Sequence, residues 1–260
     1  QKVTVLTEGQ KAFSSPTTGN KMSVHCLQKG IKTTANILIT PENRSDVFTL
    51  IKSGKGKAIT TNWGEKLLNK KGERIAKLEH LGNCKNLKSL LLRKNLIQKI
   101  ENLETLIGLE ELELYDNQIM KIEGLEKLVN LRVLDISYNL IKKVEGLENL
   151  SNLKTLYLVE NRIKKIECVD HLKTLVELDF GSNKIAEIEG VEPLRENLRK
   201  LSLAKNKIRE ISGIANLTNL TFLTLQSNRL TKVSGLETLV NLRELYLSQN
   251  FIEKIEGIYT

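Results

Sequence analysis

An asparagine recurs every 22 residues through much of this chain, and few architectures are compatible with that constraint. It stands at Asn95, Asn117, Asn139, Asn161, Asn183, Asn206, Asn228 and Asn250. The interval is 22 throughout, except for 23 between Asn183 and Asn206, where the extra residue falls in 193–197. Around each Asn the sequence reads L-x-x-L-x-L-x-x-N-x-I-x-x-I. The clearest copy runs Leu131, Leu134, Ile136, Asn139, Ile141, Val144, Leu147, Leu150, and a half-degenerate copy precedes the series at Ile75, Leu78, Leu81, Cys84 and Leu87. A fixed period of this length is the signature of stacked structural units.

The spacing dictates the unit. The alternating L-x-L predicts a short strand whose leucines point inward and whose intervening residues point out. The Asn side chain can bond backbone groups where the chain leaves the strand, so stacked copies make a ladder. The I-x-x-I-x-x-L-x-x-L segment returns the chain and closes the core. No single unit buries its own apolar face; the stack does. The expected fold is an α/β solenoid, a horseshoe with a parallel sheet on its concave side, over 73–260, preceded by a small β-rich segment over 1–72. Cys84 and Cys168 fall inside the repeats and read as small packing residues.

Composition narrows the function. Of 260 residues, 40% are hydrophobic and 27% charged, which describes a folded globular chain. No apolar run approaches the roughly 18 residues of a membrane helix, and no basic-then-apolar stretch opens the sequence, so secretion is not expected, with Gln1 leaving the true start open. Three cysteines, an odd and dispersed set, favour a reducing compartment, so an intracellular location, nuclear or cytoplasmic, is expected. The net charge of +9 is concentrated: residues 1–72 hold 12 Lys/Arg against 4 Asp/Glu, and 73–260 hold 28 against 27. No arginine–aromatic interleaving accompanies the basic third, so nucleic acid is not an expected partner.

The outward strand positions are the candidate binding surface. The slot between the last two leucines reads Leu91, Glu113, Asp135, Tyr157, Asp179, Ser202, Thr224, Tyr246. The slot two residues earlier reads Ser89, Glu111, Val133, Thr155, Glu177, Lys200, Phe222, Glu244, and Tyr115, Asp116 and Tyr138 follow the strands. Four of the five tyrosines therefore lie on one face, together with a cluster of carboxylates between Glu111 and Asp179. Tyrosine buries area while keeping a polar tip, which suits an interface. An acidic, aromatic concavity fits a globular protein with a basic patch. The partner-binding set is thus Glu111, Glu113, Tyr115, Asp116, Asp135, Tyr138, Tyr157, Glu177, Asp179, Ser202, Phe222, Thr224 and Tyr246. No nucleophile–base constellation accompanies it, and neither an enzyme activity, a metal nor a cofactor is expected. Lys142–Lys143 and Lys164–Lys165 read as a solvated flank.

These residues resemble one family. LYDNQIMKIEGLEKL (114–128), LDISYNLIKKVEGLENL (134–150) and LQSNRLTKVSGLETLVNLRELYLSQNFIEKIEGI (225–258) are similar to the leucine-rich-repeat regulatory subunits of type-1 protein phosphatase, the regulatory subunit 7 family, over about 73–258. The resemblance implies a noncatalytic scaffold that docks the phosphatase catalytic subunit on its concave face. Carried over by position, Asp135 matches, Tyr157 keeps the aromatic character and Asp179 the acidic character, whereas Ser202 stands where an aromatic is expected. That family continues with further repeats and a cap; this sequence stops at Thr260 in mid-repeat, which reads as a fragment or an end covered by something else.

Residues 1–72 lack the repeat. Alternation at Val3–Val5, Met22–Val24 and Phe48–Leu50 predicts short strands. The stretches 16–26 and 47–59, with Trp63 and 72–78, resemble FKBP-type prolyl isomerases. That family's aromatic pocket is altered: Cys26 replaces a tyrosine, and Ala35-Asn36 a Phe-Asp pair. The expectation is a noncatalytic basic cap on the first repeat. The alternative functions are an adaptor for a cytoskeletal or ciliary partner, and an isomerase with the repeats as a targeting arm.

Overall fold

The computed structural model describes residues 20–28, 31–39, 56–61, 75–79, 81, 85 and 87–256, the first three segments as strands only. Expectations at Val3–Val5, Phe48–Leu50, Trp63 and Cys84 lie outside the described residues. Met22–Val24 falls within β1 (Asn20–Gln28).

Each repeat contributes one three-residue strand, where L-x-L predicts it. These are β4 (Ser89–Leu91), β5 (Glu111–Glu113), β6 (Val133–Asp135), β7 (Thr155–Tyr157), β8 (Glu177–Asp179), β9 (Lys200–Ser202), β10 (Phe222–Thr224) and β12 (Glu244–Tyr246). They pair in parallel, in chain order, and each residue faces its equivalent in the next repeat, such as Leu112 with Leu134 and Leu134 with Leu156. A period-two strand pointing its central leucine inward leaves both neighbours outward. Accordingly Leu90, Leu112, Leu134, Leu156, Leu178, Leu201 and Leu223 are fully buried. The isoleucines and valines of the return segment, among them Ile122, Val144 and Ile166, meet them from the other side.

The return segments are turns. Among the described residues the single helical element is a 3-10 turn at Glu192–Leu194, inside the 23-residue repeat. It absorbs the additional residue away from the sheet: Glu177 still pairs with Lys200 and Asp179 with Ser202. A second, two-stranded parallel pair, β11 (Lys232–Val233) with β13 (Lys254–Ile255), lies beyond the last two asparagines. At the other end, β3 (Gly56–Thr61) pairs in parallel with β4, and β1 pairs antiparallel with β3 and with β2 (Ile31–Ile39), so these strands extend the concave sheet.

The asparagine ladder is realised in full. Asn139 Nδ2 donates to the carbonyls of Ile136 and Ser137 in its own repeat, at 3.1 and 3.0 Å, and to Leu114 of the preceding one at 3.0 Å. Its Oδ1 accepts from the backbone N–H of Ile119 at 2.9 Å. The same four contacts recur at Asn117, Asn161, Asn183, Asn206 and Asn228. A buried amide on this scale is tolerated only because it is satisfied.

A second polar seam runs along the return side. Asn130, Asn152 and Asn241 each donate to a carbonyl of the previous repeat at 2.8–2.9 Å, and the hydroxyl of Thr174 does the same. Every repeat also needs two left-handed residues. One precedes the Asn, as at Lys94, Asp116, Tyr138 and Glu160, with φ of 52–57°. The other follows it by seven and is Gly124, Gly146, Gly190, Gly213 or Gly235, but Asn102 (φ 59°) and Cys168 (φ 55°) in two repeats. Cys168 packs partly buried against the core, and burial raises its thiol pKa above the ordinary value.

Candidate protein-binding face

The outward residues of β4 to β12 form two rows across the concave sheet, and strand register fixes their neighbours. Asp135, Tyr157 and Asp179 lie side by side, as do Thr155, Glu177 and Lys200. Most are half-buried, because the sheet curves and adjacent strands crowd them.

At the N-terminal end, an arginine that sequence reasoning passed over organises the surface. Arg93 Nε and Nη2 donate to the two carboxylate oxygens of Glu113 at 2.5 and 3.2 Å, and Asp135 Oδ2 lies 3.7 Å from Nη2. The bidentate geometry, foremost the hydrogen bond to Glu113, raises the Arg93 pKa further. The same guanidinium lies over the Tyr115 ring, 5.2 Å from its centroid, and Tyr115 packs on Tyr138 at 4.7 Å. Glu113 is therefore matched internally, and beside it lies an aromatic pad in which Tyr138 is 43% exposed. The signal for Arg93 was present: it occupies the position of Tyr115 one repeat earlier.

The central strip holds the desolvated acids. Asp135, only 6% exposed, accepts from the Ser137 N–H at 3.0 Å. Asp179 accepts from the Gly181 N–H at 2.7 Å. Gly181 permits that close approach, since a Cβ there would sit 3.0 Å from Asp179 Oδ1. Burial raises both carboxyl pKa values, and those hydrogen bonds only partly oppose it. Tyr157, between them, is pushed up to about 12, first by burial and then by Glu177.

Toward the C-terminal end, Lys200 lies 3.5 Å from Glu177. Phe222 packs on Tyr246 at 5.5 Å, and the Tyr246 hydroxyl donates to Glu244 at 2.9 Å. Between these groups is an open hollow of about 350 Å³, lined by Glu177, Asp179, Lys200, Ser202, Phe222 and Glu244. Of the residues expected on the face, Glu111 is half-buried on its strand, Asp116 is exposed on the rim, and Thr224 is buried and offers little to a partner. Among its described residues the face carries neither His nor Cys. No described helix is long and apolar enough to cross a membrane.

A curved, parallel-stranded stack with an inward Leu core, an Asn ladder and a polar, aromatic concavity defines a repeat scaffold of the solenoid class, a fold that typically binds rather than catalyses. Family models described as "Leucine Rich repeats (2 copies)" match 107–149, 196–238 and 218–260, and one described as "Leucine rich repeat" matches 130–185. The chain belongs to the leucine-rich-repeat family. Similar solved structures include an internalin from Listeria monocytogenes, at 25% identity and TM-score 0.66, covering 83% of this chain and 65% of that one. A second Listeria internalin matches at 26% identity and TM-score 0.65, covering 82% of this chain and 85% of its own. A leucine-rich-repeat protein of Leptospira interrogans matches at 27% and 0.65, over 73% of this chain and 50% of that one. The chain thus spans slightly less than two thirds of the first. No curated protein matches it.

Proposed function

We propose that this chain is a noncatalytic scaffold that binds a protein partner on its concave face, the partner being the catalytic subunit of type-1 protein phosphatase. One observation carries the binding reading. Asp135 and Asp179 are held desolvated on either side of Tyr157, with burial opposing their charge. Their backbone hydrogen bonds, and Arg93 beside Asp135, offset that burial only in part; a cationic partner surface offsets the remainder, because desolvated charges pair strongly across an interface. The choice of phosphatase rests on the resemblance of 114–150 and 225–258, and it implies a nuclear or cytoplasmic location.

Calorimetry of the full chain with purified phosphatase catalytic subunit, at two salt concentrations, tests this reading. Binding that weakens with salt, and weakens at least tenfold on Asp135→Lys with Asp179→Lys, is the expected result. Tight binding unaffected by those reversals would remove the concave face from the argument. Absence of binding would favour another partner, such as a cytoskeletal or ciliary protein, a reading that the departure at Ser202 supports.

A further inference from the structure

The hollow beside Asp179 exists because one row of the sheet loses bulk locally. Along that row the residues run Tyr157, Asp179, Ser202, Thr224 and Tyr246, so two tyrosines flank three short side chains. Gly181 and Ala204, which follow β8 and β9, add no bulk. The depression is open to solvent, and at about 350 Å³ it is at the small end of the usual range for ligand pockets.

Its lining is chemically one-sided. Glu177, Asp179 and Glu244 contribute three carboxylates against the single ammonium of Lys200. Lys200 is exposed and reaches only Glu177, at 3.5 Å, an arrangement that contributes little. Among the described residues no cation pairs with Asp179. Phe222 supplies an aromatic wall on the same side as Glu244.

We propose that this hollow is an anchor site for an arginine side chain of the protein partner, a proposal that rests on the concave-face reading above. A guanidinium is planar and weakly hydrated, and it presents five donors. It can stack on Phe222 while donating to Asp179 and to Glu177 or Glu244. It would displace Lys200 toward solvent. A neutral side chain of the same shape would leave Asp179 buried without a cation, so the site discriminates by charge.

The test titrates the isotopically labelled full chain with N-acetyl-arginine amide, and separately with N-acetyl-citrulline amide, which has the same shape without the charge. The expected result is saturable amide shifts confined to 177–181, 200–204 and 222–224 with the arginine probe, and none with citrulline. Asp179→Asn, which is isosteric, and Ser202→Trp, which fills the hollow, should each weaken the response at least tenfold. Equal responses to both probes, unsaturable shifts spread over the outer glutamates, or an unchanged response in Asp179→Asn would overturn the proposal. The two readings fail separately. Phosphatase binding that Ser202→Trp leaves unchanged would remove the anchor and keep the wider function; a saturable arginine response without phosphatase binding would do the reverse.

Discussion

Replacing two neighbouring ladder asparagines by alanine should cost more than the sum of the single changes, and the excess can be worked from the contact pattern. Asn139→Ala orphans one donor outright, the buried N–H of Ile119. The carbonyls it releases keep other partners: Leu114 O retains Asn117, Ile136 O retains Asn161, and Ser137 O retains the N–H of Asp116. The single change should therefore cost about 2 kcal/mol, the usual range for one buried unsatisfied group. Asn161→Ala follows the same logic through Ile141 N–H. In the double variant, however, Ile136 O loses both amide donors at once. A coupling of about 1–3 kcal/mol should appear on top of the sum. Asn139→Ala with Asn183→Ala is the internal control, because Asn183 bonds Leu158, Phe180 and Gly181 and shares no acceptor with Asn139. Urea unfolding followed by circular dichroism measures all five variants; with a slope of about 2 kcal/mol per molar, each single change should move the midpoint by about 1 M. Additive behaviour in the adjacent pair, or equal coupling in both pairs, would refute the shared-carbonyl account.

Three further outcomes are expected. Gly146→Ala places a Cβ 2.4 Å from Ile122 O at φ +69° and should destabilise by more than about 1 kcal/mol, whereas Cys168→Gly, at the equivalent left-handed position, should stabilise by a fraction of that; thermal melts of the two variants decide the sign. Because burial raises the folded-state pKa of Asp135 above the unfolded carboxylate range, its charge opposes folding above the folded pKa, and the penalty fades as pH falls through it. Asp135→Asn should then raise the urea midpoint at pH 7 and lose that advantage below about pH 4, and an advantage independent of pH would contradict the burial argument. Tyr157, raised to about 12 by burial, should be among the last phenols to ionise in an ultraviolet titration, and Tyr157→Phe should reduce the amplitude of the latest step; an unchanged late step would contradict its burial.

The fold was legible because its determinants are local and periodic. Leu134, Asn139 and Val144 recur at fixed spacing, so strand, turn and return could be read from one repeat and multiplied. The 23-residue interval located the 3-10 turn at Glu192–Leu194 without identifying it. The return-side seam was also written in the sequence, as the Asn-Leu pairs at Asn130, Asn152 and Asn241, but an Asn before a leucine looks like ordinary polar surface until stacking brings the preceding carbonyl within reach. The outward face of the sheet was legible by position, since alternation assigns each residue to a side. Its pairing was not. Whether Glu113 faces a partner or Arg93 depends on a long side chain reaching across one strand, and no periodicity encodes that reach. The hollow likewise follows from small residues on adjacent strands, a property of 22-residue neighbours that a reading along the chain does not display.

Because each ladder asparagine grips the repeat before it, the stack has a mechanical polarity. Releasing the Asn250 side chain from the repeat before it leaves the Leu230 N–H without its side-chain acceptor, while the Leu225 carbonyl stays held by Asn228. Detachment of one unit thus leaves the next unit's fastening intact. Pulled between its ends, the molecule should lengthen in steps of one repeat, about 75 Å of extended chain each, and rewind by the same steps when slackened.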